Sequence, residues 1–322
     1  MQLYQWIGWI LLMLEEVFAN AAITYTFSGG RFGDNLMSYL HAKWISYEYQ
    51  IPLLYRPFPF SSQLLMDQIE HNYAVESKQF FRHLFLSPQM SKPLIEKEVL
   101  YICPYFPESE SERKLQPWFF YPVNWKDPTF RTIVKHAITP LSNLSLTVPP
   151  QGVVSIALHL RQGGGYDQYK TYFFENPLKI PPLSFYVTAL REVLHLFKGY
   201  PIYCHIFTDA ADPQKLLEEL QNQFLVTPLL QFSCRSDLNR HDQNVLEDFF
   251  SLFHFDVLIR PESNYSMIPN LLSDYAVVVS PAQYKMMGDE LLIHELRVEK
   301  NLEQYQEVIG RIHSSHTTQL GL

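Results

Sequence analysis

From position 151 to about 280 the chain alternates between short apolar runs and longer stretches whose apolar residues recur every three or four positions. The runs read as strands and the stretches as helices. The clearest run is Val153 to Leu160, VVSIALHL, almost uninterrupted and rich in β-branched residues, as expected of a strand buried on both faces. Ser184 to Phe197 is predicted as an amphipathic helix, Pro201 to Phe207 as a strand, and Pro213 to Gln223 as a helix that Asp212 could cap. Another short strand falls within Phe224 to Phe232. Asn244 to Phe255 follows as a helix with Leu246, Phe249, Phe250 and Phe253 inward, an aromatic stripe of the kind that builds a core. Asp256 to Ile259 is the next strand, a helix runs to Ser273, and Ala276 to Val279 is one more buried strand. Residues 284–322 read as charged helix with a frayed tail. Strand and helix in strict alternation argue for a parallel, doubly wound sheet.

The first part of the chain repeats the pattern once. Ile23 to Phe27 alternates as a strand, a glycine-rich turn follows, and a helix runs from Asp34 or Asn35 to Tyr49 with Leu36, Tyr39, Leu40, Lys43, Trp44 and Tyr47 at helical spacing. Ile51 to Tyr55 is the next strand. This is the opening unit of a Rossmann-like domain, although the turn, Gly29-Gly30-Arg31-Phe32-Gly33, is not the GxGxxG of a dinucleotide site. Prolines recur through 57–150, where Tyr101 to Pro107 reads as a strand running into a turn and Thr129 to Ala137 as a helix. The acidic stretch at 108–114 reads as a solvated loop. Pro149-Pro150 followed by Gly152 marks the domain boundary. The expected fold is α/β: a Rossmann-like domain over 23–150, a second over 151–322, and a central crevice between them.

Composition narrows the functional classes. The 322 residues suit two domains, and 47% hydrophobic with 18% charged residues describes a globular chain with a substantial core. A net charge of −8, with no basic run, argues against a nucleic-acid partner. Cys103, Cys204 and Cys234 are widely spaced and form no CxxC, which speaks against a zinc site or a disulfide scaffold. Residues 1–22 read two ways. Trp6 to Leu14 is an apolar core of signal-peptide length and Ala19-Asn20-Ala21 a small-x-small cleavage pattern, which would imply membrane association or the secretory route. No Lys or Arg precedes the run and Glu15-Glu16 interrupt its end, which fits a packed N-terminal helix of a cytoplasmic protein.

Polar residues gather at four strand ends: Gly29 to Asn35, His159 to Asp167, Thr208-Asp209, and Glu262 to Ser266. Ligands of open α/β sheets bind outside the carboxyl ends of the strands. Arg161 carries the fork suited to phosphate oxygens, the glycines at 163–165 allow close approach, and Ser263, Asn264 and Ser266 open a helix whose N-terminus is an anion site. The plainer readings are a surface arginine, an N-cap and a buried, satisfied histidine at His159.

The same residues carry a resemblance. GGRFGDN at 29–35, HLRQGGGYD at 159–167, IFTD at 206–209 and DFFSLFHFDVLIRPESNYS at 248–266 resemble, in order, motifs of the GDP-fucose-dependent fucosyltransferases, the superfamily of α-1,2-, α-1,6- and protein-O-fucosyltransferases with the two-domain GT-B fold. The resemblance touches roughly 23–55 and 151–280. It implies inverting transfer of fucose from GDP-fucose, or another GDP-sugar, to an acceptor hydroxyl of a glycan, protein or lipid, with no metal or other cofactor. It implies diphosphate contacts for Arg161, Ser263 and Ser266, a nucleoside contact for Asp209, and a place at the donor or acceptor for Arg31, Phe32 and Gly33. His159, Asn35 and Asn264 complete the expected donor site. The family's Asn after the third glycine is Asp34 here, with Asn35 following, and extra glycines stretch the first motif before Asp167. Catalytic roles fall to Arg161 for leaving-group charge and to Asp34, His159 or Asp167 as proton acceptor. The same departures motivate an alternative, a GT-B-fold protein that binds a nucleotide or glycan without catalysis. A third reading, an interaction protein, rests on the aromatic-rich 57–125 region.

Overall fold

The computed structural model describes residues 21–27, 29–87, 90, 92, 94, 96–104, 121–162, 177–235 and 242–319, the side chains of 315–319 excepted. The Trp6 to Leu14 run, the acidic stretch 108–114, the glycines 163–165 and Asp167 lie outside these residues. The chain divides into two compact units, Met1–Asn143 and Leu144–Leu322.

Unit 1 contains β1 (Ala21–Tyr25), α1 (Phe32–Tyr49), β2 (Leu54–Tyr55), the single turns α2 (Met66–Ile69) and α3 (Tyr73–Glu76) flanking β3 (His71–Asn72), then β4 (Arg82–Phe85), β5 (Val99–Cys103) and α4 (Pro128–Ala137). β1 pairs in parallel with β5, and β5 with β4. β2 pairs in parallel with β3, and the Ile23–Leu53 bridge joins this pair to β1. β1 therefore begins two residues before its predicted start, and α1 two or three before its own. Ala21 and Ala22, both essentially unexposed, extend the ladder opposite Val99 and Leu100. α1 buries Leu36, Tyr39, Leu40 and Ile45, and Trp44 meets Phe130 of α4 edge-on with ring centroids 4.9 Å apart. The helix stops at Gln50, whose left-handed backbone (φ 53°) lets its N–H reach Ser46 O.

Unit 2 follows the predicted alternation more closely. Its elements are β6 (Val154–Leu160), α5 (Leu183–Leu196), β7 (Ile202–Thr208), α6 (Pro213–Asn222), β8 (Leu230–Cys234), α7 (Val245–Ser251), β9 (Val257–Ile259), α8 (Asn264–Leu272), β10 (Val277–Met287), β11 (Glu290–Lys300) and α9 (Leu302–Gln319). The six strands order as β11-β10-β9-β6-β7-β8, parallel except for β11. Asp212 caps α6 by accepting from Lys215 N at 3.0 Å. Alternate residues of β6 feed different cores: Val154, Ile156 and Leu158 pack with α5, α6 and α9 residues, while Ala157 joins Phe207, Leu252, Phe255, Leu258 and Val278 on the other face. Each fully buried aliphatic side chain contributes roughly 2 kcal/mol.

The charged helix expected over 284–322 is corrected. β10 runs on to Met287, turns through Gly288 (φ 64°) and Asp289, and returns as the antiparallel strand β11; only Leu302–Gln319 is helical. A Gly-Asp pair between two extended runs is a hairpin signal. The charges of 290–300 sit on an exposed strand, where they suit an edge as well as they would suit a helix. No described helix is long and apolar enough to cross a membrane.

Candidate functional site

In unit 2 the strand order reverses between β6, with β7 and β8 on one side, and β9, with β10 and β11 on the other. The carboxyl ends of β6 and β9 thus flank the switch point where open sheets take ligands. β6 ends in His159 and Leu160 and is followed by Arg161; β9 is followed by Arg260, Pro261, Glu262 and Ser263, the residue before α8.

Two of the predicted strand ends are hydrogen-bonded here. His159, 8% exposed, lies with Nδ1 2.7 Å from Oγ of Ser266, which is fully buried in the first turn of α8. The Tyr265 ring stands 5.4 Å from the imidazole, and its hydroxyl donates to Val245 O at 2.7 Å. Ser263 occupies the N-cap position of α8 with extended backbone, and its side chain makes no capping bond. Asn264 is the first helical residue. Main chain from the segment before α5 is tied to the same turn, since Glu262 N donates to Leu178 O at 2.8 Å.

A third strand end joins through main chain. Asp209, just past β7, accepts from Gln162 N at 2.6 Å, fastening the start of the segment that follows Arg161. Arg161 is partly exposed with Nε buried, and the Tyr186 phenol of α5 lies close to the Arg161 backbone. Burial pushes that phenol well up, and the Asp209 carboxylate adds to the effect while Arg161 opposes it.

Gly29 to Asn35 belong to unit 1. Gly29 turns the chain at φ 81°, and Arg31 occupies the N-cap position of α1, where its side chain makes no capping bond. Asp34 N and Asn35 N both donate to Arg31 O at 3.1 Å, and Asn35 Nδ2 donates to Gly30 O at 3.2 Å. Asn35 is 4% exposed and its Oδ1 has no partner among the described residues. Phe32 and Gly33 are buried in the first turn of α1, the Phe32 ring 6.2 Å from Phe58 and 6.3 Å from Phe60. Asp34 stands in the same turn, where a carboxylate meets the positive helix end.

Sequence reading passed over two arginines. Arg56, after β2, donates from Nη1 to Tyr25 O at 2.9 Å and lies 5.2 and 5.0 Å from the Phe27 and Tyr73 ring centres. Arg260 is 3% exposed at the switch point. Its signal was visible: an arginine directly after a short apolar run and directly before a proline. Among the described residues, no cluster of three or more His, Cys, Asp or Glu could hold a metal ion.

No protein-family model and no curated protein matches the chain. Among solved structures the chain is similar to POFUT1 in complex with GDP-fucose, at 10% identity and a TM-score of 0.45 over 80% of this chain and 95% of that one. It is also similar to fucosyltransferase NodZ from Bradyrhizobium, at 12% identity and a TM-score of 0.45 over 88% and 99% of the two chains. A variant of Arabidopsis thaliana FUT1 in complex with GDP aligns at 11% identity and a TM-score of 0.47 over 81% of this chain and 70% of that one.

Proposed function

We propose that the protein is a GT-B-type glycosyltransferase that transfers fucose from GDP-fucose to an acceptor hydroxyl with inversion. The observation that carries this reading is the His159–Ser266 contact, which joins the first and third fucosyltransferase-like motifs at the sheet's switch point. The Gln162–Asp209 bond brings the second motif to the same edge. In this reading unit 2 holds the donor and unit 1 supplies acceptor-side residues.

The proposed chemistry is a single displacement. The acceptor oxygen forms a bond to the anomeric carbon, the bond from that carbon to the diphosphate oxygen breaks, and the electron pair leaves with GDP. Arg161 and the first turn of α8, with Ser263 and Asn264, stabilise the charge that grows on the diphosphate. Asp209 contacts the nucleoside. His159, buried and engaged at Nδ1, positions Ser266. Asp34, partly exposed in the first turn of α1, is assigned the acceptor proton. Arg31 and Asn35 serve the same edge of unit 1.

The test is calorimetric titration with GDP, GDP-fucose, GDP-mannose and UDP, with and without chelator, alongside Arg161→Ala and Arg161→Lys. The expected result is chelator-insensitive binding of the guanine nucleotides, lost in the alanine variant, with turnover abolished in both because lysine lacks the bidentate fork. Unchanged turnover in both variants would remove the motif argument. Tight GDP binding without transfer to any acceptor would favour a binding protein.

A further inference from the structure

Arg260 lies within the third motif-like stretch, 248–266, where the resemblance gives it no role, yet among the described residues it is the most enclosed cation at the switch point, at 3% exposure. Its backbone N–H donates to Val279 O at 2.9 Å, so it continues the β9–β10 pairing by one residue. Its side chain turns back on the segment that leads into α8. Nη1 donates to Pro261 O at 2.8 Å, Nη2 reaches Met267 Sδ at 3.2 Å, and Nε has no partner among the described residues.

These partners are a carbonyl and a thioether, and neither neutralises a charge. Glu262 and Glu299 act on the guanidinium from further off and favour its charged form, while Arg297 opposes them. Burial lowers the group to about 10, which leaves it charged at neutral pH. A buried cation without a hydrogen-bonded counter-ion is costly, and an apolar side chain of similar length would fill the space without that cost. The charge lies beneath the N-terminus of α8, a nine-residue helix whose dipole is positive at that end. The hydroxyl at its N-cap, Ser263, makes no capping bond. Helix end and guanidinium thus place like charge at one turn, an arrangement that an anion relieves.

We infer that Arg260 is a positioning residue for a diphosphate held at the first turn of α8, shaping the Pro261–Ser263 turn through its two contacts and adding buried positive charge without touching the ligand. The inference rests on the reading of this edge as a nucleoside-diphosphate site.

The experiment is calorimetric titration of the full chain, Arg260→Met and Arg260→Lys with pyrophosphate, guanosine and GDP at two salt concentrations. Methionine keeps an unbranched apolar stem, and lysine keeps the charge. The expected result is a loss of about tenfold for pyrophosphate and GDP in Arg260→Met, an unchanged affinity for guanosine, and recovery to within about threefold in Arg260→Lys. Equal losses for guanosine and GDP would reduce Arg260 to packing and overturn the inference, as would wild-type affinities throughout. If Arg260→Met does not fold, as judged by circular dichroism, a folded Arg260→Lys that binds no pyrophosphate overturns it too. Failure of the wild-type chain to bind either pyrophosphate or GDP removes the site reading itself, and Arg260 with it.

Discussion

His159 Nδ1 and Ser266 Oγ lie 2.7 Å apart across 107 residues of sequence, and both side chains are buried. The bond holds the end of the central strand against the first turn of α8. Ser266→Ala would take this partner from the imidazole nitrogen of a buried histidine. The expected cost is about 1–3 kcal/mol of stability, read as a lower urea midpoint with an unchanged slope. An unaltered midpoint would show that the contact holds nothing in place.

A buried histidine and a largely enclosed carboxylate near β8 predict opposing effects of acid. Desolvation, with help from Arg235, depresses His205 to about 4, so its unfolded form takes up a proton first as pH falls below about 6.5. The stability that His205 contributes is complete above that pH and drains away as pH falls toward 4. Desolvation raises Asp248 to about 6 even though Arg235 pulls it down, so the folded form binds the proton first. Its share of stability therefore grows as pH falls from about 6 toward 4. Between 6 and 4 these two contributions largely cancel. Asp248→Asn should steepen the acid loss toward about 1.4 kcal/mol per pH unit, and His205→Gln should reverse the slope. Urea midpoints across pH 4–7 check both, and matching profiles for the two variants would refute the assignment.

Gln50 ends α1 with φ 53° and ψ 41°, a left-handed conformation that costs a side chain about 1 kcal/mol and glycine almost nothing. Gln50→Gly should raise the melting temperature by a few degrees. A lower melting temperature would mean that the Gln50 side chain makes a contact worth more than the strain.

Asp256 Oδ2 accepts from Ser155 N at 2.9 Å, Ser155 Oγ at 2.8 Å and Arg311 Nη2 at 2.7 Å. Its side chain is 9% exposed, whereas that of Arg311 is 52% exposed. Asp256→Ala should cost about 3 kcal/mol by stranding the Ser155 donors, and Arg311→Met less than about 1 kcal/mol. Comparable losses in the two variants would put the energy in the ion pair and not in the Ser155 bonds.

Much of unit 2 was legible because its elements are long and periodic. β6 announced itself as a run buried on both faces, and Asp212 sat one residue before a proline-led helix. β11 was not legible, because Leu292, His294, Leu296 and Val298 alternate within a stretch whose charges fit a helix equally well. Unit 1 beyond Tyr55 resisted reading because its strands and turns are only two to five residues long over 54–103, too short for any period to emerge. At the site, the strand ends were readable from polarity alone. The pairing of His159 with Ser266 was not, since it depends on β6 and β9 being neighbours, and strand order is not written in local pattern. Arg260 escaped because arginine is mostly exposed in folded proteins, and the apolar run before it is only three residues long.

The ties of Asp256 to Ser155 and Arg311, and of Arg311 to Val153 O, all lie at the amino ends of β6 and β9. His159, Arg161, Asp209, Ser263 and Ser266 lie at or beyond the carboxyl ends of their strands. The Asp256 ties and the candidate site thus occupy opposite rims of one sheet. A substitution among the candidate site residues therefore leaves these amino-end ties in place.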